Sequence, residues 1–224
     1  MTPTATKDRV PLTRDRVIHA ALEVMDAEGL EAVSMRRIAR EVGVEAMSLY
    51  HHVTDKDDLL DGVCAAVMRD FRYPEDRTDW LATARFGAHE WRRVLKAHPN
   101  VIAVFAERRK PIADIDALGP MEFALETISR AGIDGRDAVY AFHVMGGYIM
   151  GFVMMEVGQM FSAGTMSPDL PDPAAVAAAL PADRVPHIIA ALPHMAACDP
   201  DEQFDFGLDM LLAGLLARLG SDQT

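Results

Sequence analysis

Residues 34–56 read SMRRIAREVGVEAMSLYHHVTDK, two short runs with helical periodicity on either side of a glycine. Ser34 precedes the first run and is a residue type that commonly caps a helix N-terminus. Gly43 follows that run and can adopt the positive φ that a tight turn between helices requires. The pattern predicts a helix-turn-helix whose second helix covers residues 45–53.

The apolar residues of this stretch separate an inner from an outer side of the second helix. Ile38, Val42 and Leu49 are expected to face inward, and Ala39 is small enough for the helices to approach closely. The residues left to project outward are Ala46, Met47, Ser48, Tyr50, His51 and His52. A short, exposed helix of mixed polarity suits the major groove of DNA. Structural helix pairs in all-α proteins have the same apolar positions, so the motif alone leaves both interpretations open.

The rest of the chain also has helical periodicity and almost no strand pattern. Further helices are expected at residues 13–28, 57–73, 79–97, 100–109, 118–131, 137–160 and 201–219. The fold class is therefore all-α. We expect a flexible N-terminal arm over 1–12, a helix-turn-helix domain over 13–56, a linking helix over 57–73 and a larger helical domain over 74–224. Within that domain, the proline-rich residues 164–200 are expected to form a mobile loop with short helical pieces.

The longest uncharged run, Ala138–Met155, has two interpretations. Its 18 residues are the minimum length for a transmembrane helix. The run also contains three glycines and His143, and the acidic residues Asp137 and Glu156 flank it directly, so we favour a helix buried in a core or a subunit interface. The leucine-rich helix at 201–219 also has a wide apolar face. We expect the helices at 137–160 and 201–219 to form a homodimer interface, with burial inside one chain as the alternative.

Charge and cysteine content narrow the class of protein. The net charge of −12 argues against nucleic acid as a partner of the whole chain, but residues 1–56 carry only −1 of it. Three arginines between residues 36 and 40 form a local cluster that can meet phosphates. Cys64 and Cys198 form no metal-binding pair, and the N-terminus has no apolar signal-peptide region. We expect a metal-free protein of the reducing cytoplasm.

Residues 34–63, SMRRIAREVGVEAMSLYHHVTDKDDLLDGV, resemble the DNA-binding signature of TetR-type transcriptional repressors. The segments DAVYAFHVMGGYIMGFVMME and EQFDFGLDMLLAGLLARL resemble the C-terminal body of the tetracycline repressor branch of that family. The resemblance covers most of 13–219 and is weakest over 164–200. It implies a homodimeric regulator, usually a repressor, that leaves a palindromic operator when a small molecule binds.

The resemblance also implies the residues that contact DNA. They are Ser34, Arg36, Met47, Ser48, Tyr50, His51, His52 and Lys56. Arg36 matches a base-reading arginine, and its guanidinium fork suits the O6 and N7 atoms of guanine. Met47 departs from the family pattern, and an apolar side chain at a base-facing position favours a thymine methyl group. Adjacent histidines on a helix point about 100° apart, so His51 and His52 fit phosphate contacts better than a shared metal ion.

Some of these residues have structural alternatives. Arg36 could be an ordinary solvated arginine, and Tyr50 could pack partly in the core. An effector pocket in the C-terminal body is implied in the same way, with candidate lining residues Trp91, Phe105, Met121, Val139, Phe142, His143 and Met150. Ordinary core packing is the alternative for each of them. Phe105 stands near the position of a metal-chelating histidine of the tetracycline repressor, and a phenyl ring cannot ligate Mg²⁺. We therefore expect a mostly apolar effector bound without a metal.

Catalytic motifs are missing from the sequence. The patterns GxSxG, GxxxxGK[ST], HExxH and GxGxxG do not occur. We therefore expect a regulator that is not an enzyme and needs no cofactor. The second hypothesis is a soluble all-α ligand-binding dimer without operator binding, against which the presence of Arg36, Tyr50 and Lys56 argues.

Overall fold

The computed structural model of the chain describes residues 11–107, 114–158 and 172–221. Every regular element in these ranges is a helix, so the all-α fold class is confirmed. The α-helices are α1 (Arg14–Glu28), α2 (Met35–Val42), α3 (Ala46–Leu49), α4 (Lys56–Arg69), α5 (Trp80–Ala97), α6 (Val101–Glu107), α7 (Gly119–Arg130), α8 (Gly135–Val157), α9 (Pro173–Ala179), α10 (Pro186–Ala196) and α11 (Pro200–Ser221). Two short 3-10 helices cover Leu30–Ala32 and Asp116–Leu118.

Contacts between helices divide the chain into two compact units. Each unit is made of two stretches of chain. The first unit comprises the residues up to Phe71 together with Asn100–Pro120, and the second comprises Arg72–Pro99 together with the residues from Met121 onward. By these contacts α4 groups with α1, α2 and α3, and α6 joins them from the middle of the chain. The chain thus passes from one unit to the other three times.

The core of the first unit is built around α1, which packs against both α2 and α4. Its largest fully buried side chains are Val17, Met25, Val33, Ile38, Leu49, Val53, Leu59 and Val63. α6 packs against α4, and the Asn100 side-chain amide donates a hydrogen bond to the Met25 carbonyl oxygen at 2.8 Å. Burial of a side chain of this size stabilises by about 1.5–3 kcal/mol. Packing of this kind holds the short helices α2 and α3, which are too short to be stable alone.

Side-chain caps start the first helices where the sequence predicts them. Thr13 and Ser34 precede α1 and α2, and each hydroxyl oxygen accepts a hydrogen bond of 3.2 Å from the backbone N–H three residues later. Gly43 has a φ of 74°, the left-handed region that glycine enters most easily. The predicted caps and the glycine turn of the helix-turn-helix are therefore confirmed.

The second helix of this motif is shorter than the sequence pattern predicts. α3 has 4 residues, so the prediction of a helix over 45–53 was wrong at its C-terminal end. The Val53 N–H still donates to the Leu49 carbonyl at 3.0 Å, but the His52 carbonyl accepts a 2.8 Å hydrogen bond from Arg14 Nη1. In a continuing helix that carbonyl would accept from the backbone four residues later. Arg14 therefore helps to end the motif at this point.

The fourth helix also ends earlier than predicted, at Arg69 and not at residue 73. Beyond it, the N–H groups of Asp70 and Phe71 donate to the carbonyls of Val67 and Met68, three residues back, at 3.2 and 3.3 Å. This tighter spacing closes the last turn in the manner of a 3-10 helix. The buried Phe71 side chain then completes the first unit.

In the second unit, α8 packs against α5, and α11 packs against both. Phe204, Leu208 and Leu212 form the buried side of α11. The Tyr148 hydroxyl donates to the Phe204 carbonyl at 2.7 Å, and the two rings stack with centroids 5.4 Å apart. Gly207 leaves room for this ring, because a Cβ there would lie 2.7 Å from Tyr148 Cε2. Both of the strongly apolar helices thus contribute to the core of their own chain.

A charge network joins α5 to α8 and α11. Arg92 is only 5% exposed, donates to both carboxylate oxygens of Glu156 at 3.0 and 3.1 Å, and donates to Asp201 at 2.7 Å. Its guanidinium also lies 4.7 Å from the ring centroid of Phe204. Lys96 pairs with Glu156 as well. Burial favours a raised pKa for Glu156, but the hydrogen bonds from Arg92 and Lys96 outweigh it and hold the pKa below its ordinary value.

Two more pairs extend this network along α5 and α11. Arg85 pairs with Asp209, and His89 Nε2 lies 2.8 Å from the carboxylate of Asp205. Rising residue numbers on α5 meet falling numbers on α11, so the two helices run antiparallel. The pairs fix the register in which α11 lies on α5.

α8 and α11 also carry apolar side chains that their own chain leaves exposed. These are Val139, Tyr140, Val144, Met154, Met155 and Val157 on α8, and Phe206, Met210 and Leu216 on α11. α8 is long and apolar enough to cross a membrane, and 28% of its most apolar window is buried. A helix that is half core and half subunit interface has the same composition, and the exposed side chains of α11 match it.

The proline-rich segment contains the short helical pieces that the sequence predicts. α9 and α10 each begin with a proline in the first turn, and they pack against each other. None of the side chains described between residues 172 and 199 is buried. The remainder of the predicted loop, up to residue 171, lies outside the described residues, as does the end of the helix predicted to reach residue 160.

Candidate nucleic-acid interface and effector domain

α3 is anchored by one side and open on the other. Leu49 is fully buried in the core of the first unit, and Val53 just beyond α3 is 1% exposed. Met47 exposes 72% of its surface and Tyr50 47%, and His51 is exposed as well. No other part of the chain that the structure describes covers the outer face of α3.

The arginines of α2 differ in what they are free to bind. Arg37 donates to Glu28 and Glu41, each at 2.6 Å, and these hydrogen bonds raise its pKa further above its ordinary value. Arg36 and Arg40 are exposed, and neither forms an ion pair with any residue that the structure describes. Of the sequence cluster, Arg36 and Arg40 are therefore available to phosphates or base edges.

The turn after α3 places Lys56 at the start of α4. Asp55 caps this helix, since its carboxylate accepts a 2.8 Å hydrogen bond from the Asp58 N–H. Lys56 is exposed and forms no ion pair within the described residues. Ser34 is exposed at the start of α2, where its hydroxyl caps the helix, while Ser48 and His52 are half-buried. All eight predicted DNA-contacting residues lie in the first unit: in α2 and its cap, in α3 and the turn that follows it, and at the start of α4.

Two residues that sequence reasoning missed support this arrangement. Arg14, on α1, and Asp58, on α4, form a salt bridge of 2.5 Å beside the end of α3. The residues are 44 positions apart in the sequence, and periodicity gives no signal for such a pair. The sequence indicated only that Asp58 lies in the first turn of a helix, where a carboxylate interacts favourably with the helix dipole.

The predicted effector-lining residues are spread over several helices. Trp91, Met121, Phe142 and Met150 are half-buried in the second unit, and the half-buried Phe105 belongs to the first unit. Val139 is 45% exposed, and His143 is exposed beside Phe142, with ring centroids 5.6 Å apart. Val139 and His143 can line an enclosed site only if another surface covers them.

A groove of about 710 Å³ lies between the N-terminal half of α8 and the C-terminal half of α11. Its lining residues are Gly132, Ile133, Asp134, Arg136, Asp137, Tyr140, Ala141, Val144, Met145, Met210, Leu211, Gly214, Leu215 and Arg218. Arg218 pairs with Asp137 across it at 2.9 Å. None of the seven predicted effector-lining residues lines this groove, whose apolar walls are the exposed side chains of the two helices.

Sequence reasoning also missed an aromatic pair between Tyr73, which precedes α5, and Phe123 on α7. Phe123 is buried with its ring centroid 5.5 Å from that of Tyr73, and the Arg77 guanidinium lies 5.2 Å from the Phe123 centroid. A Cβ on Gly87 would lie 2.8 Å from Phe123 Cε1, so the glycine allows the ring to reach α5.

Within the described residues, no cluster of three His, Cys, Asp or Glu side chains could hold a metal ion.

Two family models match the chain, and together they span most of it. Residues 17–63 match the model of bacterial regulatory proteins of the tetR family, and residues 73–219 match the tetracyclin repressor-like C-terminal domain. The first match covers the helix-turn-helix, and the second covers α5–α10 and all but the last two residues of α11.

Known proteins of similar sequence and structure agree with these matches. The HTH-type transcriptional repressor DrrR1 of Streptomyces coeruleorubidus is 33% identical over 91% of this chain and 77% of its own length. The tetracycline repressor protein class D of Escherichia coli is 28% identical over 93% of this chain and 91% of its own. The solved structure of apo ActR from Streptomyces coelicolor has a TM-score of 0.78 at 27% identity, covering 95% of this chain and 99% of ActR. ActR has also been solved in complex with actinorhodin. The chain is therefore a member of the TetR family of DNA-binding transcriptional regulators.

Proposed function

We propose that the protein binds a palindromic operator as a homodimer and releases it when a small, mostly apolar molecule binds its second unit. The observation that carries the DNA half of this proposal is the bare outer face of α3, held in place by the buried Leu49 and Val53. A single helix-turn-helix covers one half-site, so two copies are needed for a twofold operator.

The DNA contacts divide into base-reading and phosphate-binding groups. Arg36 and Met47 read bases: the guanidinium of Arg36 addresses guanine, and the exposed Met47 side chain addresses a thymine methyl group. Ser48 completes this reading surface. Ser34, Tyr50, His51, His52 and Lys56 bind phosphates and so fix the position of α3 on the duplex. Regulation by repression is the mode that the resemblance implies for such a protein.

The homodimer forms through α8 and α11. Both helices expose large apolar side chains, among them Tyr140 at 58%, Phe206 at 70% and Met210 at 63%. Gly147 and Gly151 lie on α8 with no atom near enough to meet a Cβ, so a partner helix can approach the backbone closely. Two copies of this helix pair would make a four-helix bundle in which each fills the groove of the other. Burial of this surface also accounts for the apolar composition of α8 without a membrane.

The effector binds among the half-buried aromatic and methionine side chains of the second unit. Support comes from ActR, which binds actinorhodin, and from the apolar character of Trp91, Phe142 and Met150. Methionine adapts its shape to a ligand more easily than branched side chains do. Phe105 offers no metal-binding atom, so we assign a ligand that needs no metal. Val139, His143 and Met121 complete the assigned lining, with the second subunit covering the exposed positions.

Release follows from covalent continuity between the units. α6 and the 3-10 helix Asp116–Leu118 belong to the first unit, yet they are continuous in the chain with α5 and α7 of the second. Both pack against α4, and Asp114 pairs with Arg69 at 2.6 Å. An effector that favours a different arrangement of α5 and α7 therefore shifts α4 and the DNA-reading helix. A hundred-fold shift in operator affinity needs about 2.7 kcal/mol of differential binding.

The protein acts in the cytoplasm and, as its regulatory relatives indicate, without catalysis. The test is a mobility-shift titration of the full-length protein with the DNA that flanks its own gene, with actinorhodin as the first effector probe. We expect a single shifted species carrying two subunits, competed by unlabelled flanking DNA and not by random DNA. Equal competition by random DNA would contradict operator recognition, and a probe that binds without changing operator affinity is not the effector.

A further inference from the structure

The start of α1 meets the end of α3 and the start of α4 at one side chain. Arg14 donates from Nη1 to the His52 carbonyl at 2.8 Å, and the same atom lies 3.1 Å from Asp58 Oδ2. Its Nη2 donates to Asp58 Oδ1 at 2.5 Å. One guanidinium therefore holds both a backbone atom that follows α3 and a carboxylate on α4.

Asp58 fixes the turn between the two helices from the other side. Its Oδ2 accepts from the Thr54 backbone N–H at 2.8 Å and from the Thr54 hydroxyl at 3.3 Å. Its own backbone N–H donates to Asp55. The hydrogen bonds of Arg14 and Asp58 thus determine the path of the chain from His52 to Lys56, which contains two of the assigned phosphate contacts.

We propose that Arg14 and Asp58 are positioning residues for DNA binding: their pair holds the turn between α3 and α4 in the geometry that phosphate contact requires. The proposal rests on the proposed function, since it concerns how the same surface meets DNA. Neither residue needs to touch DNA for this role. The pair acts through the positions of His52 and Lys56.

The charges of Arg14 and Asp58 make the proposal testable, because a charge effect and a positioning effect change the DNA affinity in opposite directions. Asp58 lies two residues from Lys56, so its negative charge opposes the approach of phosphates. If charge alone mattered, replacing Asp58 by asparagine would strengthen DNA binding. If the pair positions the turn, the same change weakens binding, because it loses the charge-assisted hydrogen bonds to Arg14. The two accounts therefore predict opposite results for one substitution.

Both partners stay ionised at neutral pH. The hydrogen bond from Arg14 lowers the pKa of Asp58, and the hydrogen bond to Asp58 raises the pKa of Arg14. The positioning pair is therefore intact under ordinary binding conditions. Because the two charges cancel, the pair itself contributes little to the salt dependence of DNA binding.

The experiment measures operator affinity by fluorescence anisotropy for the wild type, Asp58→Asn, Arg14→Met and the double variant. We expect each single variant to bind the operator about ten-fold more weakly, and the double variant to bind no worse than either, because residues in contact are not additive. The slope of log affinity against log salt should stay within a few tenths of the wild-type value in Asp58→Asn. Lys56→Ala, in contrast, should reduce that slope.

Glu28→Gln is the matched control. Glu28 is also a carboxylate of the first unit that is hydrogen-bonded to an arginine, but it pairs with Arg37 away from the turn. Its neutralisation should leave operator affinity unchanged or raise it slightly. Each variant is first shown to have the wild-type helix content and to be folded at the assay temperature, and Asp58→Glu tests whether a longer carboxylate restores part of the affinity.

The outcomes separate this inference from the proposed function. If the wild type binds its flanking DNA and folded Asp58→Asn binds as tightly or more tightly, the positioning role is overturned. Additive losses in the double variant would overturn it too. If the wild type itself shows no preference for its flanking DNA, operator binding fails first, independently of the pair.

Discussion

Replacement of Arg92 by methionine tests the charge network that joins α5, α8 and α11. Methionine keeps much of the side-chain volume but removes every hydrogen bond to Glu156 and Asp201. Glu156, whose side chain is 12% exposed, keeps its ion pair with Lys96. Removal of one partner from a buried pair costs about 3–5 kcal/mol, and the remaining lysine reduces this to about 2–3 kcal/mol. For a chain of this size the expected drop in Tm is about 5–10 °C.

The same variant has a predicted pH dependence. In the wild type the pKa of Glu156 is lowered, so its contribution to stability is present above the ordinary carboxylate value and is lost as the pH falls through the lowered one. Arg92→Met loses the pKa-lowering hydrogen bonds from Arg92, so the pKa of Glu156 is higher in the variant than in the wild type. Protonation of Glu156 at low pH removes the charge that destabilises the variant, and it also weakens the hydrogen bonds from Arg92 that stabilise the wild type. The difference in Tm between the two proteins should therefore narrow between pH 7 and pH 4.

The assay is thermal unfolding at one fixed protein concentration, because dimer stability depends on concentration. Glu156→Gln in the Arg92→Met background should recover part of the lost stability, since it removes a poorly exposed charge that has lost its arginine partner. A variant that melts within 1 °C of the wild type would refute the reasoning, and so would a gap that does not change with pH. Arg130→Met is the control, because Arg130 pairs with Glu126 at 47% side-chain exposure, away from the groove, and its loss should cost little.

Three more predictions concern DNA binding and assembly. Arg36→Ala should lose about 1–3 kcal/mol of discrimination at one base pair, measured by competition between the operator and single-base variants; equal loss on random DNA would remove its base-reading role. Lys56→Ala should weaken binding to all DNA and reduce the salt slope by about one per subunit, and an unchanged slope would exclude a phosphate contact. Met210→Glu should convert the dimer to a monomer, because it places a charge in the apolar groove; size-exclusion chromatography with light scattering measures this change. A variant that dimerises as tightly as the wild type would show that the interface lies elsewhere. Met195→Glu, at a methionine of α10 that is 51% exposed, is the control for the last experiment.

Local signals in the sequence predicted most of the fold. Thr13, Ser34 and Gly43 mark helix boundaries through chemistry that acts within a few residues, and the structure confirms each of them. The exposed face of α3 followed from the apolar positions that had to be buried. Leu49 could only be inside if Met47 and Tyr50 were outside.

Long-range contacts decided what the sequence could not predict. α3 ends at Leu49, and Arg14, 38 residues before His52, binds the His52 carbonyl in the turn that follows. Arg37 belongs to the sequence cluster of arginines but is bound by Glu28 of α1. Nothing in the sequence connects Glu156 with Arg92, 64 residues earlier, yet the structure pairs them. In each case the partner is distant in sequence, and no periodicity or spacing connects the two.

The central claim is that the bare face of α3 enters the major groove of the operator. Its most direct test is the affinity of Met47→Asp for the flanking DNA, since Met47 is 72% exposed and an aspartate there should leave folding unchanged. The account predicts that operator binding falls to the level of random DNA while Tm stays within about 1–2 °C of the wild type, because surface substitutions usually change stability by less than 0.5 kcal/mol. Wild-type operator affinity in a folded Met47→Asp protein would contradict the claim.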